Sequence, residues 1–114
     1  LIQSKAVSDS IVNYDALVKD IEVTGDICLK FFYDLSTQQR EVLDLRVVRT
    51  RKLDTLLSDK TLRLLKTDKN VINIYYNNAL FFGALVQNYK NKLIVLNKHA
   101  NNLIETLKSE YDIE

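Results

Sequence analysis

Histidine and cysteine carry much of the chemistry that proteins perform near neutral pH, and this chain has one of each, His99 and Cys28. One histidine gives no metal-binding pair, and one thiol gives neither a disulfide nor a zinc cluster. A nucleophile–base pair would need the fold to bring Cys28 to His99. Taken singly, Cys28 reads as a small core residue on a helical stripe, and His99 as a ring flanking such a stripe with one edge in solvent. The carboxylates Asp15, Asp20, Glu22, Asp26 and Asp34 are spread along the first third without the pairing that acid–base catalysis uses. Gly25 and Gly83 are isolated, so no glycine-rich phosphate loop exists. No catalytic, cofactor-binding or metal-binding residue is assigned, and the chain reads as a non-enzyme.

One basic constellation remains, RVVRTRK from Arg46 to Lys52. With Arg40 it sets Arg46, Arg49, Arg51 and Lys52 on or near one helical segment, a pattern able to hold phosphates of nucleic acid or lipid. Glu41, Asp44 and Asp54 interrupt it, and no aromatic residue interleaves it. Charge supplies a simpler account. Residues 1–35 carry net −3 and residues 36–66 carry net +4, while the whole chain is +1. Complementary flanks within a bundle, or with a protein partner, explain the basic segment without an anionic polymer. Binding of nucleic acid or an anionic membrane through Arg46–Lys52 is therefore the alternative reading, not the leading one.

The elements that would position these residues are long helices. The chain has no proline and two glycines, too few turn formers for many short strands. Its length suits a single domain, here taken as residues 1–114 and, lacking an initiator methionine, as a piece of a longer chain. A lone free thiol and the absence of a signal-peptide pattern lead to the expectation of an intracellular protein, cytoplasmic or nuclear.

In the last third, alternating steps of three and four give Ile72, Tyr75, Ala79, Phe82, Val86, Tyr89, Leu93, Leu96, Ala100, Leu103 and Leu107, every one apolar or aromatic. Such spacing places one stripe on one helix face in heptad register. Phe82 and Val86, at its centre, are expected to be deeply buried. Thr67 or Asp68 would cap this helix, which would end near Tyr111. The first third repeats the step through Ile11, Tyr14, Val18, Ile21, Gly25, Cys28, Phe32 and Leu35, with Ser8 or Ser10 as cap. Ser36-Thr37-Gln38-Gln39 matches a capping box and predicts a break there. The expected fold is all-α, an antiparallel bundle of about three helices near 8–34, 37–57 and 69–111. A hairpin of two long helices that dimerises is the alternative.

No acidic residue occurs between Lys69 and Ile104, and a second apolar set, Ile74, Leu80, Phe81, Ile94 and Val95, backs the first stripe. One partner helix covers one face only. These five residues are therefore expected to bind a partner, making the chain a scaffold or adaptor bundle that assembles with itself or with another subunit. A ligand-binding bundle around the aromatic middle of the last helix is a further possibility. Asparagine is frequent in this helix, a bias that AT-rich codon usage explains without any specific polar role.

Overall fold

The computed structural model describes residues 4–44 and 64–112, and these residues are all-helical apart from their connections. They form two helices, α1 (Lys5–Val42) and α2 (Lys69–Tyr111). The three-helix arrangement is not what the described residues form. The expected second helix contributes its first residues, 37–42, to α1, and its remainder from 45 to 57 lies outside the described residues.

Ser4 caps α1, its hydroxyl accepting from Val7 N–H at 3.4 Å. Ser8 and Ser10, the expected caps, lie inside the helix. The expected break at Ser36–Gln39 is also absent. Thr37 turns its hydroxyl back to the Tyr33 carbonyl at 3.1 Å, the bond a threonine makes inside a helix. Gln38 accepts instead from Asn78 across to α2 at 2.9 Å. Continuing the helix keeps Leu35 and Val42 on one stripe, and that packing prevails over a local cap. Beyond Val42 the chain leaves the helix. Leu43 bridges Leu64, and Leu65 N–H donates to the Val42 carbonyl at 2.7 Å.

Asp68 caps α2 as expected, its carboxylate accepting from Asn70 N–H at 2.8 Å and Val71 N–H at 3.2 Å. Asp112, with φ of 51°, stops it in the left-handed conformation that ends many helices.

The chain divides into two compact units, Leu29–Ala84 and Leu1–Cys28 with Leu85–Glu114. In the Leu29–Ala84 unit, the Phe31 and Phe81 rings meet edge-on at 5.2 Å and the Phe32 and Phe82 rings at 6.2 Å. Further along α1, Gln38 meets Asn78 and Glu41 meets Lys66. Rising numbers on one side face falling numbers on the other, so the segments are antiparallel. In the other unit the same order holds: Cys28 with the Leu85 carbonyl, Thr24 with Lys92, Tyr14 with His99.

On α1 the inward stripe is Val7, Tyr14, Ile21, Cys28, Leu35 and Val42, each at least half-buried and seven residues from the next. The expected stripe holds except at Phe32, which is half exposed while Phe31 turns inward. On α2 the expected stripe is half-buried at Ile72, Tyr75, Ala79, Phe82, Tyr89, Leu96, Ala100, Leu103 and Leu107 and fails at its centre, while Asn78, Leu85, Lys92, His99 and Thr106 on the neighbouring position are half-buried as well. Val86 and Leu93 are instead 44 % and 41 % exposed. Val86 is not deeply buried, and Phe82 is only half-buried. Asn78, Lys92 and His99 each find a partner on α1, so polar residues share the inward face with the expected stripe. Val7, Ile21 and Val42 are the buried apolar residues among those described. Two helices present only one face each to the other, and among the described residues Leu80, Val86, Leu93 and Ile94 of α2 stay exposed.

Candidate interaction surface

All five expected contact residues are exposed, from 51 % at Phe81 to 58 % at Ile94. They occupy two heptad positions. Ile74, Phe81 and Val95 share one heptad position beside the inward stripe, on the shoulder of the packed pair. Leu80 and Ile94 share another, on the outward side of α2.

In the Leu29–Ala84 unit, Ile74 lines an open cleft of about 170 Å³ with Val42, Val71 and Tyr75, closed at its polar edge by Gln38 and Glu41. Phe81 packs its ring on Phe31, so half of its surface is already engaged. In the other unit, Val95 lines a cleft of about 160 Å³ with Leu17 and Ile21, bounded by Asp20, Asn91 and Lys92. Both clefts fall below the roughly 300 Å³ at which small-molecule pockets begin. Neither surrounds the aromatic middle of α2 in the way a buried ligand would need.

The polar groups beside the second cleft were missed by sequence reasoning. Lys92 reaches Asp20 at 2.9 Å and the Thr24 hydroxyl at 2.9 Å, while Thr24 donates to the Asp20 carbonyl at 2.9 Å. Thr24 is buried, and its hydroxyl is satisfied on both sides by this arrangement. Asn78 does the same work with Gln38 in the other unit, a specific role for one of the frequent asparagines. The signal was available: Lys92 and Asn78 sit three residues after inward aromatic positions, where a helix can face its partner as readily as four residues after.

The chemically versatile residues are kept apart. The Cys28 thiol donates to the Leu85 carbonyl at 3.7 Å, whereas His99 stacks on Tyr14 at 6.3 Å with Nε2 3.3 Å from the Ser10 carbonyl. Fourteen residues of α2 separate Leu85 from His99, about 21 Å of helix. Asp15 pairs with Lys19 at 2.8 Å, and this exposed contact raises the lysine above its ordinary pKa through the hydrogen bond and the carboxylate charge. No group of three potential metal ligands occurs among the described residues. No helix among them is long and apolar enough to cross a membrane.

Of the basic constellation, Arg40 lies exposed in the last turn of α1 and donates to the Thr37 hydroxyl at 3.5 Å. Arg46, Arg49, Arg51 and Lys52 lie outside the described residues. No protein-family model matches the chain, and neither a characterised protein nor a solved structure matches it.

Proposed function

We propose that this chain is a non-catalytic protein–protein interaction module, a helical scaffold that assembles with itself or with a partner subunit. One observation carries the reading: α2 keeps large apolar side chains exposed on its outward side, Leu80 in one unit and Ile94 in the other. Scattered apolar residues are normal on a protein surface, but a helix with large apolar side chains outward as well as inward carries more apolar surface than one partner helix covers. The acid-free stretch from Lys69 to Ile104 supports it, since carboxylates that would keep a second helix away are missing.

The test replaces Leu80 and Ile94 by glutamate, separately. Both are exposed, so the fold should persist by circular dichroism. Native mass spectrometry of the purified protein, and of the protein recovered from cells that make it, reads association. Loss of a stoichiometric complex in either variant is the expected result for a contact on this outward side. A parent that is monomeric in both settings refutes the reading, and a parent that associates while both variants associate equally moves the contact to another face of the helix pair.

A further inference from the structure

The geometry points to a second copy of this chain as the occupant of one specific groove in the unit formed by Leu1–Cys28 and Leu85–Glu114, an inference that rests on the interaction reading above, names a partner, and places it on a face other than that of Leu80 and Ile94. The cleft bounded by Asp20, Leu17, Val95 and Lys92 marks one side of the helix pair in this unit. One step around each helix, on the opposite side, the heptad positions are Val18 and Gly25 on α1 and Val86, Leu93 and Ala100 on α2. Every one is apolar, and Val86 and Leu93 are exposed. Val18, Gly25 and Ala100 are half-buried, so the uncovered part of this apolar floor is Val86 and Leu93 on α2.

Its two rims differ in sign. The next position outward holds Ser8, Asp15 and Glu22 on α1 and Lys90, Asn97 and Ile104 on α2, all exposed; Asp15 is paired with Lys19, so Glu22 and Lys90 are the charges left to face a second copy. The imbalance runs through the unit: α1 from Lys5 to Cys28 is net −3, and α2 from Leu85 to Tyr111 is net +2. A surface with one acidic and one basic rim is complementary to itself when turned about a two-fold axis parallel to the helices. That rotation lays α1 of the second copy on α2 of the first, and α2 on α1, so both rims are matched. The other two-fold, perpendicular to the helices within the interface, would set acidic rim on acidic rim.

The parallel axis also fixes heights, because it moves nothing along the helices. Gly25 stands opposite Tyr89, whose ring would be 3.4 Å from an added Cβ, and Thr24 stands opposite Lys92. Glu22 is thus level with α2 within about one helical turn of Lys90. In the two-fold pair, Glu22 of each copy reaches Lys90 of the other, and Leu93 meets α1 between Val18 and Gly25. From Lys5 to Cys28 the helix spans roughly 35 Å, and two helices of about 10 Å diameter offer about 700 Å² per copy. That is close to the roughly 800 Å² per partner of a standard stable interface.

Sedimentation velocity of the purified chain across micromolar concentrations tests this with three variants. The parent should dimerise. Glu22→Lys and Lys90→Glu should each weaken the dimer about tenfold or more, since either variant places like charges together twice. An equimolar mixture of the two should regain a heterodimer, because both rims are then matched again. Leu93→Glu should abolish association while circular dichroism shows the helices intact. A purified parent that stays monomeric overturns the proposal, as does a mixture that fails to recover or a Leu93→Glu variant that dimerises normally. If the purified chain is monomeric but forms a complex in cells, the second copy is refuted and the interaction reading stands; if it is monomeric in both, both fall.

Discussion

Lys92 is the residue whose replacement measures what holds α1 to α2 in the Leu1–Cys28 and Leu85–Glu114 unit. Its ammonium contacts Asp20 and Thr24 at 2.9 Å each, and its stem lines the cleft with Leu17, Ile21 and Val95. The side chain is 30 % exposed and that of Asp20 is 55 % exposed, so water screens the pair and it belongs with surface ion pairs worth about 0.2–1 kcal/mol. The bond to Thr24 adds about 1 kcal/mol at most. Lys92→Met keeps the stem and removes the charge. Thr24 then loses the proton it accepts but still donates to the Asp20 carbonyl, so no buried donor is orphaned. The expected loss is about 1 kcal/mol, read by urea unfolding at fixed protein concentration to hold any self-association constant. Lys92→Ala, which also strips the stem, should cost about 2 kcal/mol. Combining Lys92→Met with Asp20→Asn in a double-mutant cycle should give a coupling under about 1 kcal/mol that shrinks in molar salt. A salt-insensitive coupling above about 3 kcal/mol would mean a desolvated pair, contrary to these exposures. A coupling of zero at low salt would mean the contact does not form.

Gly83 has nothing within 4 Å of where a Cβ would stand, so Gly83→Ala should raise the urea midpoint by the equivalent of about 1 kcal/mol, the helix-propensity difference alone. Phe82→Ala should cost about 2 kcal/mol, below the 3–5 kcal/mol of a fully buried phenylalanine, because the ring is half-buried against Phe32. Val86→Ala should cost less than about 1 kcal/mol in the monomer, since the side chain is 44 % exposed.

The local signals in the sequence were sufficient for helix type and for some ends. Asp68 caps α2 as its position before the periodic run implied, and Tyr111 ends it. They were insufficient at Ser36–Gln39, where a capping box and a helix interior are both locally allowed. There the cross-helix bond from Asn78 to Gln38 and the placement of Val42 favoured continuation. Leu80 and Ile94 were legible as a second apolar set, but not that Ile74, Phe81 and Val95 sit on the shoulder of the pair, because that depends on which way α2 is turned.

Sequence alone therefore determined that these segments are helices and that each carries a seven-residue apolar repeat, because periodicity and capping are properties of neighbours along the chain. It did not determine that a neighbouring, partly polar heptad position on α2 shares the inward face, nor that Val86 and Leu93 at the centre of the expected stripe stay exposed. Val86 and Leu93 are better hydrophobes than Asn78, Lys92 and His99, and a count of apolar residues selects them. The tertiary structure brought the polar residues in as well, because Gln38, Asp20, Thr24 and the Ser10 carbonyl stand opposite and satisfy them. A polar group placed against a packed neighbour needs a partner, whereas an apolar one left outside can wait for another surface.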